Sequence, residues 1–238
     1  NYYNVFDELL VLFDFEIKYF TKYGLKTTLM GHPVFYIKNK SFTLNKKYIA
    51  FLPGSRKSEI KSLIPYFNLA YKFLLENSSD LIIFIPTLPH LITDVQKLVL
   101  NWKIKVIITS DIFQIEQMYS LTSKALVCSG TASLEIAKRN IPQLIIYKLN
   151  ILTEYIAKIF IKVRFANIIN IYEKKMIIPE LVNSKLKNKI FINQFSKLIY
   201  DDESNKSQIE NVKIALKHVQ SIDPPYIVAA KSIYYYLN

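Results

Sequence analysis

"LPGSRKSEI", residues 52–60, decides how this sequence is read. It follows the apolar run Tyr48-Ile49-Ala50-Phe51 and leads into a segment with helical spacing, about Glu59–Asn77. A Gly, a Ser and an Arg thus stand in a turn between a predicted strand and a predicted helix. Open α/β sheets bind their ligands in such turns, beyond the carboxyl ends of the strands. The chain has only four glycines in 238 residues, and its composition is skewed toward Ile, Lys, Asn, Tyr and Phe, as from an AT-rich genome. A glycine kept against that pressure points to a backbone position that a side chain would spoil.

The same grammar recurs on both sides of the turn. Strands are predicted at Glu8–Phe13, Thr27–Met30, Tyr48–Leu52, Leu81–Ile85, Lys105–Ile108, Ala125–Cys128 and Leu144–Tyr147. Most are continuous apolar runs, which suits a parallel sheet covered on both faces. Helical patterns alternate with them at about Glu59–Asn77, Thr93–Trp102, Ile112–Ser120, Ala132–Arg139 and Leu152–Ile161. The alternation predicts an α/β fold with a doubly wound parallel sheet. Residues after about Lys185 read as helices. The polar, Pro-containing stretch around His32–Lys47 reads as a linker, and what precedes it is too little for a doubly wound domain of its own. The expected organisation is the tail of an amino-terminal Rossmann-like domain (1–35), a linker (36–47), a second Rossmann-like domain (48–215) and terminal helices packing back toward the first domain (216–238).

Bulk properties narrow the function. The chain is 51% hydrophobic, enough for a substantial core, and carries a formal net charge of +12. A basic chain often meets phosphate, nucleic acid or an anionic membrane. The lysines are scattered and no nucleic-acid-binding signature appears, so no nucleic-acid partner is expected. The single cysteine, Cys128, excludes a disulfide framework and cysteine metal sites, and suits a reducing compartment. Apolar stretches stop short of the ~18 residues of a membrane span. His90 and His218 have no carboxylate or Cys at metal-ligand spacing, so no metal or cofactor is expected. Asp201-Asp202-Glu203 reads as a solvated loop, and His32, between Gly31 and Pro33, as structural or hinge-forming.

A second strand-to-helix turn is "SGTASLE", residues 129–135. Gly130 would let the backbone approach a ligand, and the helix N-terminus suits a phosphate. Ser129 and Thr131 add hydroxyls, and Arg56 in the first turn adds a fork matched to phosphate oxygens. Glu59 and Glu135 fall in first helical turns, where a carboxylate caps or meets the helix dipole.

"MGHPV", "LPGSRKSEI", "SGTASLE", "PQLIIYK", "FANIIN" and "IPELVN" occur here in the order and approximate spacing of the lipid-A-disaccharide synthase family, which this chain resembles from about Asp7 to Val219. The family is made of two-domain, GT-B-type inverting glycosyltransferases of Gram-negative bacteria. The resemblance implies transfer of 2,3-diacylglucosamine from UDP to 2,3-diacylglucosamine 1-phosphate (lipid X). It implies that Gly54, Ser55, Arg56, Ser129, Gly130, Thr131, Asn167 and Glu180 bind the donor. Arg56 would stabilise the leaving group, and Glu180 is a candidate for the ribose hydroxyls. The chain departs from the pattern at Phe13-Asp14-Phe15-Glu16, Ala166 and Asn183. Family members carry a full amino-terminal domain with the acceptor site and the general base, so this chain reads as an incomplete copy, with an oligomer or a complementing amino-terminal half as partner. Acylated substrates imply a cytoplasmic protein peripheral to the inner face of the inner membrane. The basic amphipathic segment Leu149–Phe165 is a candidate contact with an anionic surface, or else packs on the sheet. Two other readings stay open: a different UDP-sugar GT-B protein, such as a UDP-N-acetylglucosamine 2-epimerase, and a non-catalytic UDP-binding module.

Overall fold

The computed structural model describes residues 5–36, 47–77, 81–128, 130–148, 165–221 and 223–237. It divides into two compact units, Asn1–Lys38 with Ile214–Asn238, and Asn39–Lys213.

The larger unit is built on six parallel strands: β3 (Tyr48–Leu52), β4 (Ile82–Pro86), β5 (Val106–Thr109), β6 (Thr122–Cys128), β7 (Gln143–Tyr147) and β8 (Glu180–Val182), after β1 (Leu9–Val11) and β2 (Thr27–Leu29) of the smaller unit. Their order across the sheet is β5-β4-β3-β6-β7-β8. The chain winds outward from β3 through β4 to β5, then returns to the centre as β6 and winds the other way. Neighbouring β3 and β6, paired Ala50↔Ala125 and Leu52↔Val127, are therefore the topological switch point, where the following loops part and leave a crevice. The two glycine turns follow these two strands.

The continuous apolar runs are covered as their composition requires. Ala50, Phe51, Ile83, Phe84, Leu126, Val127 and Ile145 are all buried. Helix α2 (Lys57–Asn77) buries Ile60, Leu63, Phe67, Ala70 and Leu74, whose three- and four-residue steps make one apolar stripe. The Phe51 ring lies 5.4 Å from Phe67, 6.0 Å from Trp102 and 6.3 Å from Phe195. The sheet faces also carry α3 (Ile92–Val99), α4 (Ile112–Ser120), α5 (Thr131–Lys138), α6 (Ile168–Glu173) and α7 (Asn188–Tyr200), and α8 (Asp202–Val219) follows. Two elements were not expected from the sequence, α6 and β8. The helical pattern predicted at Leu152–Ile161 falls outside the described residues, as does most of the predicted linker.

In the smaller unit, β1 and β2 pair in parallel around α1 (Asp14–Thr21), and the chain closes with α9 (Pro225–Leu237). Ser232 on α9 and Thr28 both donate to the Glu8 carboxylate, which holds the carboxyl below its ordinary range. Gly31 has a φ of +84°, and a Cβ there would lie 1.9 Å from Ser221 Oγ, so this position accepts glycine alone. His32 is buried, stacks on Phe13 at 5.8 Å, and its Nδ1 accepts from Val34 N–H at 3.1 Å. Burial lowers its pKa, because the imidazolium would lose water. Protonation would also remove the Nδ1 lone pair that Val34 uses.

The unfolded chain takes up this proton near pH 6.5, and the folded chain only at lower pH. Stability is therefore full above pH ~6.5 and falls as pH drops through that value, by at most about 1.4 kcal/mol per pH unit. Urea unfolding of the smaller unit between pH 7.5 and 5 should show this slope, and His32→Gln should flatten it. An unchanged slope in His32→Gln would place the titration elsewhere.

Candidate functional site

The turn after β3 is shaped by Gly54 and Glu59. Gly54 has a φ of +111°, and a Cβ there would lie 2.6 Å from Glu59 Oε2 and 3.3 Å from Cys128 Sγ. The glycine thus makes room for a neighbouring carboxylate. Glu59 folds back over the turn, and its Oε2 accepts from the N–H groups of Ser55 (2.9 Å) and Arg56 (3.2 Å). Its Oε1 accepts from Arg56 Nη1 at 3.0 Å. Glu59 therefore caps α2, satisfying donors that a helix start leaves open. The Arg56 side chain remains 72% exposed.

The turn after β6 is built differently. Gly130, the N-cap of α5, has a φ of +135°, which only glycine adopts without strain. Among the described residues no side chain caps this helix; the Ser133 N–H turns back to Gly130 O at 3.1 Å, and the N–H groups of Gly130, Thr131 and Ala132 are left for a ligand or solvent. Ser133 seals the inner side by donating from Oγ to Gly130 O at 2.8 Å. Ser129 lies outside the described residues.

Between the turns is a cavity of about 570 Å³. It is lined on one side by Gly54, Ser55, Arg56 and Glu59, on another by Gly130, Thr131 and Ala132, with Cys128 and Tyr147 also in its wall. Its size suits a small-molecule site. Burial pushes the Cys128 thiol up to about 12, with the Glu59 charge as a second cause, so this sulfur is neutral at physiological pH.

The remaining wall carries a cluster absent from the expected set. Arg139 is only 3% exposed and grips Glu116 with both terminal guanidinium nitrogens, at 3.0 and 2.5 Å. It also donates to Glu135 at 3.1 Å and lies 4.8 Å from the Tyr119 ring centroid. Its Nε has no hydrogen-bond partner among the described residues. Glu116, Glu135 and Tyr119 all line the cavity. The Glu135–Arg139 step of four residues, ending at the C-cap of α5, was visible in the sequence, whereas nothing local marks Glu116 as the other partner.

Asn167 and Glu180 take another place. Both are buried, and neither belongs to the cavity lining. Asn167 caps α6, accepting from Ile169 N–H at 3.0 Å and Asn170 N–H at 3.2 Å, and donates to Ser133 Oγ at 2.8 Å. Glu180 accepts from the N–H groups of Ala166 (3.0 Å) and Asn167 (2.8 Å), and from Asn170 Nδ2 at 3.2 Å. Asn170, not singled out before, closes the network through Ile177, Ile178 and Glu180. Through Ser133 this network reaches the first turn of α5. So the structure brings Gly54, Ser55, Arg56, Gly130 and Thr131 together around one cavity, and sets Asn167 and Glu180 in the support behind it. The basic segment at 149–164 lies outside the described residues, and Phe165 is buried. Among the described residues, no helix is long and apolar enough to cross a membrane.

The family model described as lipid-A-disaccharide synthetase matches residues 1–230. Lipid-A-disaccharide synthase of Rhodospirillum centenum is 27% identical over 239 residues, covering 95% of this chain and 60% of that protein. The enzyme of the same name from Rickettsia canadensis is 31% identical, covering 98% of this chain and 63% of that protein. The chain thus spans about three-fifths of these relatives' length. Among solved structures, TarM superposes with a TM-score of 0.59 at 10% identity, covering 98% of this chain and 44% of TarM. The wall teichoic acid polymerase TagF gives 0.56 at 14% identity, covering 99% of this chain and 59% of TagF. Both are GT-B glycosyltransferases, and at such identity the likeness speaks for the fold.

Proposed function

The chain belongs to the lipid-A-disaccharide synthetase family, and from that premise we propose that its larger unit holds the UDP part of an acylated UDP-sugar, 2,3-diacylglucosamine, for transfer to 2,3-diacylglucosamine 1-phosphate. The observation that carries this reading is the cavity at the switch point, with the uncapped start of α5 on one side and Arg56 on the other. The N–H groups of Gly130 and Thr131 and the positive end of α5 suit a diphosphate. Arg56 sits where it can swing onto the outer phosphate and stabilise UDP as it leaves. Ser129 belongs to the same turn and joins the proposed donor set. Asn167 and Glu180 support that set by fixing α6 and β8 against Ser133, which ties them to the α5 turn. With acylated substrates on both sides of the reaction, the proposed place of work is the cytoplasmic face of the inner membrane, which flotation with anionic vesicles would test.

Inverting transfer also needs a base at the acceptor hydroxyl. Of the carboxylates in the cavity wall, Glu116 and Glu135 are paired with Arg139, and Glu59 stands with Arg56 in the turn proposed to meet the diphosphate rather than the acceptor. The larger unit is therefore assigned donor binding and leaving-group stabilisation, with the base supplied from elsewhere. The 238 residues mixed with both acylated substrates should bind donor and form no disaccharide. Co-expression with the portion of a relative that this chain does not span should yield disaccharide and free UDP. Turnover by the purified chain would show that the catalytic groups are misplaced. UDP binding with no disaccharide from the combined chains would favour another UDP-sugar enzyme or a binding module.

A further inference from the structure

The two turns that flank the cavity differ in one respect. The start of α5 is open, while the start of α2 is filled by a carboxylate of its own chain. Three donors, the N–H groups of Ser55 and Arg56 and the Arg56 Nη1, all converge on Glu59. They are the donors in this turn that a phosphate would use. Glu59 is only 13% exposed on its side chain, and the room it occupies exists because residue 54 has no Cβ. The arrangement has the chemistry of a bound anion: two backbone N–H groups and a guanidinium around one oxyanion pair.

We propose that Glu59 is a positioning residue that stands in for phosphate: it holds the turn and the Arg56 guanidinium in place when the cavity is empty, and yields them to the diphosphate of an incoming nucleotide. The proposal rests on the reading of the cavity as a nucleoside-diphosphate site. Without a resident anion, two convergent N–H groups and an arginine would be solvated and the turn would be free to rearrange. With a carboxylate in place the donors stay aimed at one point, and ligand binding becomes an exchange of one anion for another. That exchange has a cost, since the displaced carboxylate stays near a second negative group. A purely capping glutamate behaves differently: its removal loosens the turn and weakens every ligand that uses it.

Removing the charge while keeping the shape separates the two. Glu59→Gln should bind UDP more tightly than the wild type by roughly two- to fivefold, the worth of one partly exposed ion pair. Its affinity for uridine, which has no phosphate, should not change. In the wild type, the side-chain carboxyl carbon resonance of Glu59 should shift on addition of UDP and stay in place on addition of uridine. This second readout needs no variant to fold. Equal or weaker UDP binding by Glu59→Gln, or a Glu59 carboxyl that UDP does not move, overturns the proposal while leaving the nucleotide site intact. Absence of UDP binding to the wild type overturns the site reading and this proposal together.

Discussion

Arg139→Ala should destabilise the larger unit by about 3 kcal/mol, because removing one partner of a buried ion pair strands the other charges. Arg139 is 3% exposed and neutralises two carboxylates, Glu116 and Glu135, from different helices. Those carboxylates are 30% and 31% exposed, so water reaches them in part once the arginine is gone. That places the expected loss at the low end of the range for buried pairs. The Tyr119 ring also loses the cation over its face, a contact worth about 0.5–2 kcal/mol in other proteins. Adding Glu116→Gln and Glu135→Gln to Arg139→Met should recover much of the loss, since no unpaired charge then remains. Urea unfolding of the single and triple variants measures this. A single variant within about 0.5 kcal/mol of the wild type, the range of an ordinary surface change, would contradict the assignment.

Arg56→Ala should behave in the opposite way. The side chain is 72% exposed and its ion pair to Glu59 is of the kind that contributes about 0–1 kcal/mol to a fold. Unfolding should therefore shift little. Binding should suffer, because a charge-assisted hydrogen bond to phosphate is worth roughly 1.5–3 kcal/mol, a ten- to hundredfold loss of UDP affinity. The two arginines would thus have separable duties, Arg139 behind the cavity wall and Arg56 in the cavity lining. Titration calorimetry showing equal UDP affinity for the wild type and Arg56→Ala would remove Arg56 from the site.

The apolar strands and the amphipathic helices were legible in the sequence. Tyr48–Leu52 and Ile112–Ser120 have the observed bounds, and Lys105–Ile108 lies one residue away, since apolar runs and amphipathic steps leave a strong signal. β8 was read only as part of a motif. It has three residues, begins with a glutamate, and sits at the sheet edge, so neither length nor apolar run marks it. Helix α6 has six residues and is held by the Asn167 cap rather than by an apolar stripe, so it offers less than two turns of periodicity.

The site was legible as turns but not as contacts. Gly54 and Gly130 could be placed at strand ends because glycine is rare here. What Gly54 makes room for could not, since Glu59 reaches back by a side-chain rotamer that no spacing specifies. The capping distance from Ser55 and Arg56 to Glu59 was visible, yet it did not reveal that the arginine side chain joins the same carboxylate. Arg139 and Glu116 lie 23 residues apart, and only the packing of α4 against α5 brings them together. Asn167 and Glu180 carried a motif but no sign of depth. Their burial comes from β8 joining the sheet beside β7, with Ile145 opposite Glu180.

We propose that the crevice between the β3 and β6 turns is a diphosphate site that works through backbone donors and Arg56 rather than through a metal. Calorimetric titration of the purified chain with UDP and with uridine, both in the presence of EDTA, tests it most directly. UDP is expected to bind at least about tenfold more tightly than uridine, the size of one charge-assisted phosphate contact. Equal affinities for the two, or UDP binding that disappears when divalent ions are chelated, would contradict it.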